Sequence, residues 1–175
     1  MDNVNYNFKI LEALYTAKKQ NNTDFLIKPI IITIISIVEC MLHDFIERIQ
    51  NRTADSLPNL TQSIIDYIKG KKIDDFEKAI KQVQKHNLLR ASNKDKIYSD
   101  LDLLRRVRNR IHIQNKGEQL DKDDCRVFTT ENLRLAENIL ERVCEILCNT
   151  YPRWGKQPLP MSDFPSPWLR DRCPF

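Results

Sequence analysis

Glycine is scarce in this chain, with three residues among 175. Few positions can therefore take the left-handed backbone that tight hairpins demand, and a protein built on short strands and turns is disfavoured. Histidine is also rare: the three are scattered, and no His/Asp/Glu spacing suggests a metal site. No metal and no cofactor are expected. Five cysteines, Cys40, Cys125, Cys144, Cys148 and Cys173, form no CxxC pair and are odd in number, which excludes a fully paired disulfide framework. No secretory signal pattern is read before the first helix, so a reduced, cytoplasmic setting is expected. Net charge is only +4. Any attraction for nucleic acid must then come from local clustering, not from the molecule as a whole.

What is present is helical periodicity. With 30% charged residues and several long amphipathic segments, the chain reads as all-α, a bundle of about five helices. Its length fits one domain with a single core. A segment from Tyr6 to about Gln20 places Phe8, Leu11, Leu14 and Tyr15 on one face, and Asn21 to Asp24 interrupts it with capping residues. Phe25 to about Ile49 is the most apolar region. Its β-branched run could be read as a strand on propensity, but the apolar pattern continues through Met41, Leu42, Phe45, Ile46 and Ile49, far beyond the length of a strand. It is expected to be a buried helix and not a membrane span, since Glu39 interrupts it before the ~20 apolar residues a bilayer needs. Leu60 to Lys69 and Ile73 to about Lys85 read as shorter helices around Gly70. Glu131 to about Asn149 is the last strong helix, with Thr129 and Thr130 as candidate caps.

Residues 1–151 thus form the expected bundle. Residues 152–175 differ: six are proline, yet Trp154, Phe164, Trp168 and Phe175 are kept. An extended tail packed on the bundle or on a partner is expected, since large aromatics are seldom left in water without reason. Cys144 and Cys148 lie one helical turn apart, and their expected role is small core filling.

The stretch with the most chemistry is Arg105 to Asn115, RRVRNRIHIQN. It ends a helix whose apolar face is Ile97, Leu101, Leu104, Val107 and Ile111. At ~100° per residue, Asp102, Arg105, Arg108, Asn109 and His112 share an arc beside that face. Arg106 and Arg110 project elsewhere, toward solvent or a second contact. Imidazole has an unperturbed pKa of about 6.5 and can both take and give a proton near neutrality. Guanidinium stays charged and presents paired donors to phosphate oxygens. Together they suit RNA cleavage: His112 moves a proton while arginines hold the phosphate, with no metal required. The plain alternative is a solvated basic helix face ending in a histidine that the helix dipole favours. Glu39, in the middle of an apolar helix, requires a cationic or hydrogen-bonding partner. An arginine of the Arg105–Asn115 stretch is one candidate, with Glu39 and Asp102 then orienting the arginines from behind; an ordinary ion pair is the other.

The segment Tyr98 to Asn115, YSDLDLLRRVRNRIHIQN, resembles the signature helix of the HEPN superfamily, small all-helical domains of toxin–antitoxin and phage-defence systems. Many members are metal-independent ribonucleases. Their motif is an Arg followed by a polar residue, often Asn, with His after four to six intervening residues. Arg108 and Asn109 match the pair and His112 the histidine, although only three residues separate Arg108 from His112. Arg105 and Arg106 satisfy the interval but are not followed by a polar uncharged residue. The phosphate-binding arginine is thus left between Arg108 and Arg105. The resemblance, which spans about Asp24 to Leu147, implies RNA as substrate, a homodimer with the two His112 side chains facing a shared cleft, and an antitoxin or other defence-system partner. The alternative is a non-catalytic module of the same fold that binds RNA, a nucleotide or a protein partner.

Overall fold

The computed structural model describes residues 2–51, 57, 59–92, 96–111, 123–151 and 167–168. Among these the fold is all-α, with no strand. The helices are α1 (Asp2–Asn21), α2 (Ile27–Asn51), α3 (Gln62–Lys69), α4 (Phe76–Lys85), α5 (Ile97–Arg108), α6 (Asp124–Val127) and α7 (Thr130–Thr150), with a 3₁₀ turn over Asn109–Ile111 between α5 and α6. The short α6 was not foreseen from the periodicity, because four residues are too few to show any.

The centre of the bundle is α2. It touches α1, α3, α4, α5 and α7, so most of its circumference meets protein. That surrounding explains its sequence: Ile30, Ile31, Ile34, Ile35, Ile37, Val38, Leu42, Phe45, Ile46 and Ile49 are all buried, a spread too wide for one stripe. Burial against five neighbours outweighs the weak helix propensity of β-branched residues. By length and hydropathy α2 also matches a bilayer-crossing helix, yet here it serves as the core of the bundle. Pro29 stands in its first turn, where the missing N–H has no intrahelical acceptor to lose. The hydroxyls of Thr33 and Ser36 donate back to the carbonyls of Pro29 and Ile32, each at 2.8 Å, which keeps these polar atoms satisfied inside the helix.

Side-chain caps open α4 and α7. Asp75 accepts from the Lys78 backbone N–H at 2.7 Å to open α4, and Thr129 accepts from that of Asn132 at 3.2 Å to open α7. Between α4 and α5, Asn87 adopts φ 46°, a left-handed position that asparagine tolerates. Its Oδ1 accepts from the Ala91 N–H at 2.8 Å and from the Tyr98 hydroxyl at 2.9 Å, tying the connection to the first turn of α5. On α5 itself Ile97, Leu101, Leu104 and Val107 are buried, as the period requires.

Part of the tail is seen. Trp168 is 4% exposed; its indole N–H donates to the Glu141 carboxylate of α7, and its ring centre lies 5.6 Å from that of Tyr15 on α1. Tyr15 in turn donates to Glu137 at 2.5 Å. The tail therefore crosses the α1/α7 surface of its own chain at this point. Trp154, Phe164 and Phe175 lie outside the described residues. In a Trp154→Phe background, Trp168 fluorescence is expected to be blue-shifted and poorly quenched by acrylamide. Tyr15→Ala should shift emission to the red and raise quenching at temperatures where circular dichroism still reports full helicity, because a docked tail opens locally before the bundle unfolds.

Candidate functional site

The helix carrying the arginine cluster ends earlier than its sequence suggests. The α-helix stops at Arg108, Asn109 is its C-cap, and the 3₁₀ turn follows with Arg110 at φ −80°, ψ 15°. A 3₁₀ step is about 120° per residue, not 100°. The 100° spacing that sets Asp102, Arg105 and Arg108 on one arc therefore holds as far as Arg108, and Asn109 begins the 3₁₀ turn. His112 lies outside the described residues, as does the side chain of Ile111.

The two candidate arginines are held by carboxylates on different helices. The Nε and Nη2 of Arg105 donate to Oδ1 of Asp102 at 3.0 and 2.8 Å, and its Nη1 lies 3.2 Å from Glu77 Oε2 on α4. Two carboxylates thus occupy one guanidinium, and the side chain is only 17% exposed. The Glu77 carboxyl is held below the usual range, first by the hydrogen bond from Lys81 and then by the charge of Arg105, so it is ionised at neutral pH. Arg105 consequently acts as a clamp between α5 and α4. Arg106 is also drawn to Asp102, with Nε 3.4 Å from Oδ2.

Arg108 has a different setting. Its Nη2 donates to Glu39 Oε2 of α2, and its Nη1 lies 3.4 Å from Oδ1 of the adjacent Asn109. The side chain is 31% exposed, against 19% for that of Glu39. The apolar helix α2 thus presents one carboxylate to the end of α5, and the partner that Glu39 requires is Arg108. One carboxylate and one amide oxygen on this partly exposed side chain do not use all five donors of the guanidinium.

Arg110 makes the second contact, not the solvent-facing one. It is 9% exposed, with Nη2 3.4 Å from Asp124 Oδ1, while Asp124 Oδ2 takes Lys28 Nζ at 2.5 Å. Lys28 also lies over the Phe128 ring, 5.1 Å from its centre. This network joins the first turn of α2, the 3₁₀ turn and α6. It ties Arg110, two residues before His112, to Asp124 of α6. Glu77, Asp124 and Lys28 were not anticipated as members of the site. Their positions in the sequence carry no periodic or motif signal, and only the packing of α2, α4 and α6 against α5 brings them there.

Among the described residues no three His, Cys, Asp or Glu side chains cluster as a metal site requires. The Cys144 thiol, buried with Sγ 3.6 Å from Met41 Sδ, is pushed up to about 12, above all by desolvation. It stays protonated and fills core space.

Comparisons with family models, with curated proteins and with solved structures return no match to this chain. The functional reading therefore rests on the geometry around Arg108 together with the sequence of α5.

Proposed function

We propose that the chain is a metal-independent endoribonuclease of the HEPN type, acting in a toxin–antitoxin or phage-defence setting. The observation that carries this reading is the Arg108–Glu39 pair: a partly exposed guanidinium, oriented from behind by a carboxylate and flanked by Asn109, four positions before His112. Arg108 is the phosphate ligand in this reading, and Arg105, already occupied by Asp102 and Glu77, fixes α5 on α4. His112 takes the proton of a ribose 2′-hydroxyl as its oxygen attacks phosphorus. The P–O5′ bond breaks, the leaving oxygen takes up a proton, returned by the His112 imidazolium directly or through water, and the products are a 2′,3′-cyclic phosphate and a 5′-hydroxyl. Arg108 stabilises the charge that builds on the phosphoryl oxygens. Asn109 orients the phosphate, and Glu39 keeps the guanidinium fixed.

Arginine substitutions separate these roles. Arg108→Ala is expected to lower the cleavage rate by about 10²- to 10³-fold, and Glu39→Gln by roughly 10-fold, the latter with little change in melting temperature. Arg105→Ala should instead lower the melting temperature and leave the rate of the folded protein within a few-fold of the parent. If Arg105→Ala abolishes cleavage and Arg108→Ala does not, the assignment of the two arginines is reversed. The non-catalytic reading is favoured by one feature, the short interval between Arg108 and His112. It takes precedence if the parent binds RNA but never cuts it.

The same proposal includes a homodimer with the two His112 side chains facing one cleft. Light scattering should give twice the 20.7 kDa of the chain at micromolar concentration. A clean monomer that still cleaves RNA removes the composite cleft from the proposal.

A further inference from the structure

The lysines from Lys71 to Lys85 fall into two groups. Lys72, Lys78 and Lys81 are each paired with Asp74, Asp75 or Glu77. Lys71 and Lys85 are not: among the described residues neither has a carboxylate within ion-pairing distance, and both turn to Tyr67. The ammonium of Lys85 lies 3.9 Å from the centre of the Tyr67 ring and donates to its hydroxyl at 2.6 Å. That of Lys71 lies 4.8 Å from the same centre. The two cations are therefore at most 8.7 Å apart, the sum of those distances.

This arrangement is braced from beneath. The Gln50 side chain of α2 donates to the backbone carbonyls of Ile68 and Lys71, at 3.2 and 2.9 Å, fixing the chain that carries Lys71. The Tyr67 ring packs edge-on against His86, 5.0 Å between centres. The phenol is made more acidic than usual, first by the Lys85 hydrogen bond, the response of a group already placed in a positive field. A phosphate held by the two ammoniums at the Tyr67 hydroxyl would relieve that field. Helix α4 runs from the pair toward the candidate site: Glu77, which meets Arg105, precedes Lys85 by eight residues, or about 12 Å of helix, and Arg108 stands about one helical turn beyond Arg105 on α5. A strand of a few nucleotides covers that distance.

We propose that Lys71 and Lys85, organised around Tyr67, hold a phosphodiester of the RNA strand whose scissile bond lies at Arg108. The proposal rests on RNA being the ligand of the candidate site, and it adds a second backbone contact that sets how the strand lies across α4. Phosphate contacts of this kind position a strand without reading its bases.

Binding of a fluorescent single-stranded oligoribonucleotide, 2′-O-methylated throughout so that no 2′-hydroxyl can attack, isolates this contact from cleavage. Across a salt series, Lys71→Gln/Lys85→Gln should reduce the slope of log affinity against log salt by about 1.4, the value for two single-strand phosphate contacts. Between about 50 and 200 mM salt the parent then loses roughly seven-fold more affinity than the double variant. Lys78→Gln, which alters a lysine already paired with Asp74 and Asp75, should match the parent. Cross-linking of 4-thiouridine RNA to the unsubstituted protein should place adducts within residues 67–86. An unchanged slope in the double variant, or adducts confined to other segments, overturns the proposal, as does a parent that binds no RNA. Cleavage of unmodified RNA is followed in parallel. Cutting by the parent with a slope unaffected by Lys71 and Lys85 removes this contact and leaves the ribonuclease reading standing; a lysine-dependent slope without cutting does the reverse.

Discussion

Replacing His112 by Ala is expected to lower RNA cleavage by about 10²- to 10⁴-fold, the usual contribution of a positioned proton-transfer group, while RNA binding largely survives. The separation follows from which groups carry which charge. Phosphate attraction depends on arginine and lysine, which the substitution leaves in place, whereas in this reading the proton of the 2′-hydroxyl needs the imidazole. The parent should cut single-stranded RNA in EDTA, leave 2′,3′-cyclic phosphate ends and spare DNA of the same sequence, which has no 2′-hydroxyl to attack. Gel analysis of end-labelled substrates reports all three. If His112→Ala cuts as well as the parent, the ribonuclease reading is lost. The anchoring of the preceding residues through Arg110, Asp124 and Lys28 leads to a related expectation: Asp124→Ala should impair cleavage without removing any group that touches RNA.

The largest effect on stability is expected at Phe45→Ala. Phe45 is fully buried near the C-terminal part of α2, with its ring 4.6 Å from that of Tyr151. Tyr151 is itself fixed there: its hydroxyl donates to the Leu88 carbonyl at 3.1 Å, and its own carbonyl accepts from Arg48 at 2.9 Å. Neighbours so constrained cannot collapse into the space left by a lost phenyl ring, so the cost should fall at about 3–5 kcal/mol. In a domain whose total stability is of order 5–15 kcal/mol, that is a large share. A fall in melting temperature of roughly 6–20 °C is expected, read by circular dichroism at 222 nm. Phe45→Leu, which keeps most of the apolar volume, should recover much of it. A near-neutral Phe45→Ala would mean that the α2/α7 packing is not as described.

The helical class and the position of nearly every helix follow from local pattern. Period and caps act within a few residues, so Thr129 and the long apolar run of α2 announce their elements wherever the chain goes, whereas α4 opens at Phe76 behind the Asp75 cap and not at Ile73. The cost of an isolated buried carboxylate is also independent of topology, which is why Glu39 could be marked as needing a partner before any partner was known. Which arginine answers it is a different kind of fact. Arg108 lies 69 positions away, and Arg105 goes instead to Glu77 of α4, because the packing of α5 against both α2 and α4 sets the two side chains against different helices. Likewise, the switch from α to 3₁₀ geometry after Arg108 coincides with the docking of Arg110 onto Asp124 of α6, a contact between separate elements. The sequence by itself determined an all-helical fold, the basic end of α5 and the need of Glu39 for a cationic or hydrogen-bonding partner. The tertiary structure decided how the arginines divide, because ion pairs between helices depend on where distant helices pack, and local periodicity carries no information about that.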